Sequence, residues 1–376
     1  MDMTPDCSVP VVSVIIPVWN PGPGIERCID SLRNQTLRDI EMIFVDDRGS
    51  DGAMEKVNAA AAEDPRIRIL TNPRNLGPGP SRNAGIASAR GKYLSFIDAD
   101  DYAAPDFLEL LYHAALSEEA DIAKGCCVYI EKDNSRVERA FSLNQKIREG
   151  LSLNRPLFVL FTYEHWTGLY RKELFENKEV HYGSTRRDQD TRFLLGVCSF
   201  AKNIILCDDA LYYYRRRSDS AFNTIARSSL ADLAKSFDEQ MDCILSLHAE
   251  DKYSENYVLN MINRRMMIFF SLKNGFRYEP DEIAFLNSIM KTLRRFPGWD
   301  NLKKKSLSVR ILMEYQICLP NCLFKLPWEQ HADTKANLRL ACGWARFMSV
   351  HPRYFLVFMR KAAGHFGKRL KKAVKL

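Results

Sequence analysis

Short apolar runs alternate with helical patterns through the first hundred positions, and this alternation limits the fold more than any other feature of the chain. Val11 to Val18 is β-branched and reads as a buried strand. Glu41–Val45, Ile67–Leu70 and Tyr93–Ile97 read as three more. Between them, Gly24–Gln35 carries Ile25, Cys28, Ile29 and Leu32 at helical spacing, Ala53–Ala62 is Ala-rich, and Ser81–Arg90 predicts a helix capped by Ser81. Strands alternating with helices imply βαβ units, an α/β fold and a mostly parallel sheet flanked by helices.

Ligands of such sheets sit beyond the carboxyl ends of the strands. Right-handed crossovers bring the loops at those ends to one edge. Three of the ends are polar: Pro17-Val18-Trp19-Asn20, Asp46-Asp47 and Asp98-Ala99-Asp100-Asp101. Three carboxylates as close as Asp98, Asp100 and Asp101 repel one another unless a cation neutralises them. Hard oxygen ligands favour Mg²⁺ or Mn²⁺ shared with phosphate oxygens. Alone, the motif equally suits a helix N-cap or a solvated acidic turn. The apolar strand before it and the matching Asp46-Asp47 favour metal and phosphate. The Gly/Pro loop Asn72–Gly85 feeds a helix whose N-terminus suits an anion, and Arg82 adds a fixed charge.

Further on, Asp121–Ile130 predicts a strand. Gln189–Phe200 predicts a helix with Phe193, Leu194, Val197 and Phe200 on one face. Asn203–Cys207 predicts a strand, followed by Tyr212-Tyr213-Tyr214-Arg215-Arg216-Arg217. Long helical patterns such as Leu230–Leu247 and Tyr257–Leu272 then take over. The expected division is an α/β domain over 1–225 and a mainly helical region over 226–376.

The segments VSVIIPVWN, CIDSLRNQTLRDIEMIFVDDRGSDG, NLGPGPSRNAGIASARGKYLSFIDADD and LYYYRRRSDS resemble the family 2 glycosyltransferases of the GT-A fold, through the first 220 or so residues. The resemblance implies inverting transfer from a nucleotide-diphosphate sugar, with UDP the commonest nucleotide, and a divalent metal, Mn²⁺ or Mg²⁺. By position, Pro17 and Trp19 would flank the nucleobase and Asp47 would hydrogen-bond it. Asn75 and Arg82 would hold the nucleotide, Asp98 the ribose or sugar, and Asp100 the metal. Asp190 matches the family's catalytic base, with Arg187 and Asp188 as neighbours, and the stretch from Tyr214 to Arg217 would lie near the diphosphate.

The chain departs from the family pattern at Trp19 for Tyr, Arg48-Gly49 for Gly-Ser and Gln189 for Glu. Two other functions fit part of the pattern. A metal-dependent nucleotidyltransferase would use the Asp cluster without Asp190, and a non-catalytic nucleotide-sugar binding module would bind without turnover. The expected acceptor is a hydroxyl of a glycan or a lipid-linked saccharide, in cell-surface polysaccharide synthesis. His165, His181 and His351 each stand alone, without a partner at metal spacing, and are expected to be structural.

The ten cysteines are scattered and form no CxxC pair, which suits thiols in a reducing compartment. Met1–Pro10 has no apolar signal core, and no apolar run reaches bilayer length. A cytoplasmic protein is therefore expected. The formal charge of +7 is a property of the tail: eleven Lys and Arg follow Asp333 with no Asp or Glu, which leaves residues 1–334 at −4. From Phe355, apolar residues fall at Phe355, Met359, Ala362, Phe366, Leu370 and Ala373, one stripe of a helix, with most of the basic residues off it. Such a helix is expected to dock peripherally on an anionic membrane surface at its cytosolic face. The tail lacks an aromatic stacking platform, so nucleic acid is not an expected partner.

Overall fold

The computed structural model describes residues 9–130, 136–139, 164–215, 226–247 and 279–300, with positions 258, 259, 261, 262, 265, 268, 269 and 302. The chain divides into two compact units, residues 1–224 and 225–376.

The first unit is built on one sheet. Its strands are β1 (Val12–Val18), β2 (Ile40–Asp46), β3 (Ile67–Thr71), β4 (Tyr93–Phe96), β5 (Tyr102–Ala103), β6 (Ile122–Ile130), β7 (Arg136–Arg139), β8 (Gly168–Arg171) and β9 (Ile204–Arg215). They lie in the order β3-β2-β1-β4-β8-β6-β9-β5, with β7 added on β6. The half made of β3, β2, β1 and β4 is parallel, as the alternation predicts. Beyond β4 the sheet is mixed: β8 runs antiparallel to both β4 and β6, β6 pairs parallel with β9, and β5 pairs antiparallel with β9. These antiparallel partners were not legible, because β8 is four residues long and starts at a glycine, and β5 has only two residues.

The helices of this unit are α1 (Gly24–Arg33), α2 (Ala53–Glu63), α3 (Pro78–Ser88), α4 (Phe107–Ser117) and α5 (Gln189–Phe200). Burial follows the 3.6 period: α1 buries Ile25, Cys28, Ile29 and Leu32. These side chains join Val12, Val14, Ile16, Met42, Phe44 and the α4 residues Phe107, Leu108 and Leu111 in one core. Two expectations are corrected. Helix α3 starts at Pro78 rather than Ser81, since a proline suits the first helical position, where no N–H is needed. Ser81 instead lies in its first turn and donates to the Gly77 carbonyl at 2.8 Å. The strand expected at Asn203–Cys207 continues to Arg215 as a single β9, past a register shift opposite Lys124 and Cys126.

In the second unit, α6 (Leu230–Leu247) and α7 (Pro280–Leu293) are described. Glu279 and Glu282 form a capping box at the start of α7. Thr292 and Arg295 both donate to Asp238 of α6, at 2.8 and 2.6 Å. No described helix is long and apolar enough to cross a membrane. The basic tail and Arg217 lie outside the described residues.

Helix α3 crosses β1 so closely that Gly85 has no room for a side chain; a Cβ there would overlap the Ile15 side chain. Gly85→Ala is expected to destabilise the protein by about 1–3 kcal/mol through overpacking, read as a lower midpoint in urea denaturation with an unchanged slope. An unchanged midpoint would show that the two elements can separate without cost.

Candidate active site

Parallel registry sets the carboxyl ends of β1, β2 and β3 side by side. Val18 pairs with Asp46, the Asp47 amide donates to the Val18 carbonyl at 3.0 Å, and the Asn72 amide donates to the Asp46 carbonyl at 2.9 Å. Trp19 emerges from this edge 52% exposed, an unusual state for so large an apolar ring. Pro17 beside it is half-buried. Asp47 is buried. Its Oδ1 accepts from Asn72 Nδ2 and the Leu76 amide, and its Oδ2 from the Gly77 amide, each at 2.8 Å. The carboxylate therefore holds the loop that opens α3. A carboxylate has about four lone-pair directions, so one remains for a further donor.

The departure at Arg48-Gly49 has a structural account. Arg48 sits at φ 63°, a left-handed conformation costing a side-chain-bearing residue roughly 1–2 kcal/mol. Bonds from its amide to Asp46 Oδ1 at 2.8 Å and from its Nε to the Asn72 carbonyl at 2.7 Å offset that cost. Gly49 is required because a Cβ there would stand 2.9 Å from the Asn20 amide nitrogen.

At the end of β4 the chain folds back on itself, the Asp101 amide bonding the Asp98 carbonyl at 3.0 Å. Strand β9 holds this acidic turn: Tyr212 donates to Asp101 Oδ2 and the Arg215 amide to Asp101 Oδ1, both at 2.8 Å. Burial, and then the charges of Asp100 and Asp98, push the Asp101 carboxyl well up. Asp98 is partly exposed and pairs with Arg82, which is buried in α3. Burial opposes the Arg82 charge, but Asp98, Tyr182 and Asp190 outweigh it and raise the guanidinium above its ordinary value. Its plane lies 5.2 Å from the Tyr182 ring centroid. Its Nε and Nη1 are buried without a hydrogen-bond partner among the described residues.

Asp190 stands in the first turn of α5 and feels the same guanidinium. Asp188, the N-cap at φ 60°, accepts from Thr191 Oγ1 at 2.9 Å. Gln189 turns inward and is buried, its Oε1 unpaired among the described residues. Asn75 accepts from Arg186 at 2.9 Å, a contact between the α3 loop and the segment before α5 that the sequence reading did not foresee.

Asp98 and Arg82 thus form an ion pair, and Asp190 is near enough to bear on the same guanidinium, although the three come from distant parts of the chain. Asp47 follows β2 next to them, and Asn75 lies on the loop that opens α3. Asp100 is half-buried on the acidic turn. Among the described residues no group of three or more His, Cys, Asp or Glu side chains forms a metal cage. The carboxylate oxygens of Asp100 are hard ligands of the kind that would suit a divalent cation shared with phosphate oxygens, while Asp98 pairs with Arg82 and Asp101 accepts from Tyr212 and Arg215. The reading missed Tyr182, which carries no motif, and missed the setting of His165, whose Nδ1 stands 4.0 Å from Asp190 Oδ2. His181 keeps its structural reading, held between the Tyr182 carbonyl and Arg192.

The family model for glycosyl transferase family 2 matches residues 13–177. The glycosyltransferase GlyG of Streptococcus pneumoniae is 30% identical over 253 residues, covering 63% of this chain and 81% of GlyG. EpsJ of Bacillus subtilis, described as an uncharacterized glycosyltransferase, is 34% identical over 221 residues, and the match spans 56% of this chain but only 63% of EpsJ. A crystal structure of residues 1–349 of S. aureus TarS with UDP-GlcNAc matches with a TM-score of 0.64 at 19% identity, covering 81% of this chain and 91% of that one, a likeness of fold. The acidic strand ends, the GT-A sheet and these relatives agree: the chain belongs to glycosyltransferase family 2.

Proposed function

We propose that the chain is an inverting glycosyltransferase that uses a divalent metal, Mn²⁺ or Mg²⁺, to move a sugar from a UDP-sugar to a hydroxyl of a glycan or lipid-linked acceptor in cell-surface polysaccharide synthesis. The observation that carries the reading is the ion pair of Arg82 and Asp98 on the acidic turn that holds Asp100, with Asp190 near enough to act on the same guanidinium. UDP-GlcNAc in the TarS complex belongs to that protein, and it motivates the choice of UDP for this one.

In this reading Trp19 and Pro17 flank the base, and the open lone pair of Asp47 takes its N–H. Asn75 holds the nucleotide, and Asp98 turns a carboxylate oxygen to the sugar or ribose; Arg217, assigned to the same role, lies outside the described residues. The unpaired Nε and Nη1 of Arg82 offer hydrogen bonds to the donor, and a guanidinium suits phosphate oxygens. A divalent cation bound at Asp100 would neutralise charge developing on the departing diphosphate. Asp190 takes the proton of the acceptor hydroxyl as that oxygen attacks the anomeric carbon. One base on the face opposite the leaving group inverts the configuration there.

The test begins with a donor-hydrolysis screen across nucleotide sugars with Mn²⁺ present. Release of the nucleoside diphosphate supports the reading, whereas release of pyrophosphate from a nucleoside triphosphate supplied with a sugar 1-phosphate indicates nucleotidyl transfer. Asp100→Ala is expected to abolish metal-dependent turnover while the unfolding midpoint holds, because a strand-end loop adds little to the core. Full activity with metal still required would overturn the Asp100 assignment. Asp190→Asn is expected to slow turnover by about 10²–10⁴-fold with nucleotide-sugar binding kept, and a wild-type rate would move the base elsewhere, first to Asp188.

The proposed site of action is an anionic membrane surface, reached through the tail. The full chain should co-sediment with anionic vesicles at low salt and a chain ending at His351 should not. Equal behaviour of the two removes the tail as the anchor.

A further inference from the structure

Taking Asp190 as the base, as proposed above, a second residue bears on it. His165 lies in a short turn of 3-10 helix, His165–Thr167, just before β8. It is 4% exposed. Its ring is fixed on several sides: edge-on to Tyr182 at 5.3 Å, stacked with Trp166 at 6.0 Å, and near Phe96 and Phe193 at 6.2 and 6.4 Å. Its carbonyl accepts from Tyr170 Oη at 2.7 Å, which fixes the backbone as well. Among the described residues, the polar outlet of this caged imidazole is the 4.0 Å gap between Nδ1 and Asp190 Oδ2. Nε2 is buried with no partner among the described residues.

We propose that His165 is the positioning residue of Asp190, presenting its Nδ1–H to the carboxylate so that the base stays ionised and aimed at the acceptor hydroxyl. Catalytic hydrogen bonds are often long before ligands bind and tighten in the loaded enzyme, so the gap suits a bond completed on binding.

The charges around the pair favour this arrangement. The groups facing it are Arg82 from α3, Asp98 beyond β4, Lys124 from β6, Tyr170 from β8 and Tyr182 from the segment before α5. Burial, then Arg82, then Lys124 hold the His165 imidazole well below its ordinary range. Lys124 is itself buried and pushed down to about 8 by that burial. A neutral imidazole has one N–H and one lone pair. With the carboxylate beside Nδ1, the N–H belongs there and the lone pair falls to Nε2. His165 then gains and loses no proton during transfer: the acceptor proton goes to Asp190, and the imidazole donates throughout.

The test uses three variants, because Asn and Gln put an amide nitrogen near the places of Nδ1 and Nε2 respectively. The probe is the nucleotide sugar turned over fastest in the donor screen, with Mn²⁺. His165→Gln and His165→Phe are expected to lose about 10²-fold in kcat, the scale of a misplaced catalytic group, with KM little changed. The acid limb of their kcat/KM profile should move to higher pH, because a carboxylate that loses a donor holds its proton more tightly. His165→Asn should keep the wild-type acid limb and recover most of the rate. UDP binding by calorimetry should be equal in all three. Acid limbs of the Gln and Phe variants that coincide with wild type, while Asp190→Asn is inactive, overturn the role of His165 and leave the base in place. A fully active Asp190→Asn instead overturns the base, and this role with it. The comparison of Asn with Gln carries the test even where the Phe variant unfolds.

Discussion

The carboxyl edge of the sheet depends on the ion pair between Arg82 and Asp98. A guanidinium that is 3% exposed is stable only when its charge is met, since removing one partner of a buried pair costs about 3–5 kcal/mol. Asp98 is partly exposed, which puts this pair at the lower end of that range. The pair joins α3 to the end of β4, and leaves two guanidinium nitrogens without partners among the described residues. Asp101, three residues on, is tied to β9 through Tyr212 and Arg215. Asp98 and Asp101 thus anchor the turn from opposite sides, and Asp100 lies between them.

Behind the charges stands an aromatic wall. Phe96 of β4 packs on Tyr170, Tyr182 and Phe193 with centroids 5.2–5.8 Å apart, and Tyr182 stacks on Phe193 at 4.2 Å. Such pairs add about 0.5–1.5 kcal/mol beyond the area they bury. Phe193 belongs to α5, one turn past Asp190, so the same contacts that bury the helix fix the carboxylate relative to the sheet. Arg192, next to Phe193 in the same turn, donates to the Glu179 carbonyl at 2.7 Å and to the Glu179 carboxylate at 2.8 Å, which ties the segment before the helix to its start. Sequence, packing and site geometry are here one chain of cause.

Much of the first half was legible because period and composition agree there. β1 to β3 are apolar runs rich in β-branched residues and β4 is aromatic and aliphatic, and their ends differ from the expected ones by at most one residue. Their parallel order follows from the helices between them, so Asp47 and Asp98 could be assigned to one edge without coordinates. What was not legible depended on partners distant in sequence. Nothing local tells that Asp47 turns inward to bind the Leu76 and Gly77 amides, or that Ser81 is a helical residue rather than a cap. β8 makes sense only once β4 and β6 lie on either side of it. Helix α4 is different: Phe107, Leu108, Leu111 and Ala115 fall at helical spacing, and that signal was present but unread. His165 seemed structural because its partner lies 25 residues away, with no motif to link them.

The two edges of the sheet treat buried polar groups in opposite ways, and the contrast has a physical meaning. At the amino edge, the Glu41 carboxylate accepts from Ser13 at 2.6 Å, from Arg68 at 2.6 Å, and from the Arg90 amide and Nε at 2.7 and 3.0 Å. Burial pushes that carboxyl up, yet the bonds from Ser13, Arg90 and Arg68 outweigh it and hold it below its usual value. The cost of burying Glu41 is met there by protein groups, and Arg171 Nε at the same edge, though without a hydrogen bond among the described residues, stands 3.2 Å from the Asp121 carboxylate. At the carboxyl edge, Nε and Nη1 of Arg82, Nε2 of His165, the Tyr182 hydroxyl and Oε1 of Gln189 are buried without protein partners among the described residues. Unsatisfied buried groups cost about 1–3 kcal/mol each and are scarce in folded proteins. Several gathered around Asp98 and Asp190 are a local loss of stability that the rest of the sheet must carry. Partners supplied from outside the chain would recover it, so the edge that is least complete as a folded structure is the one best prepared to bind.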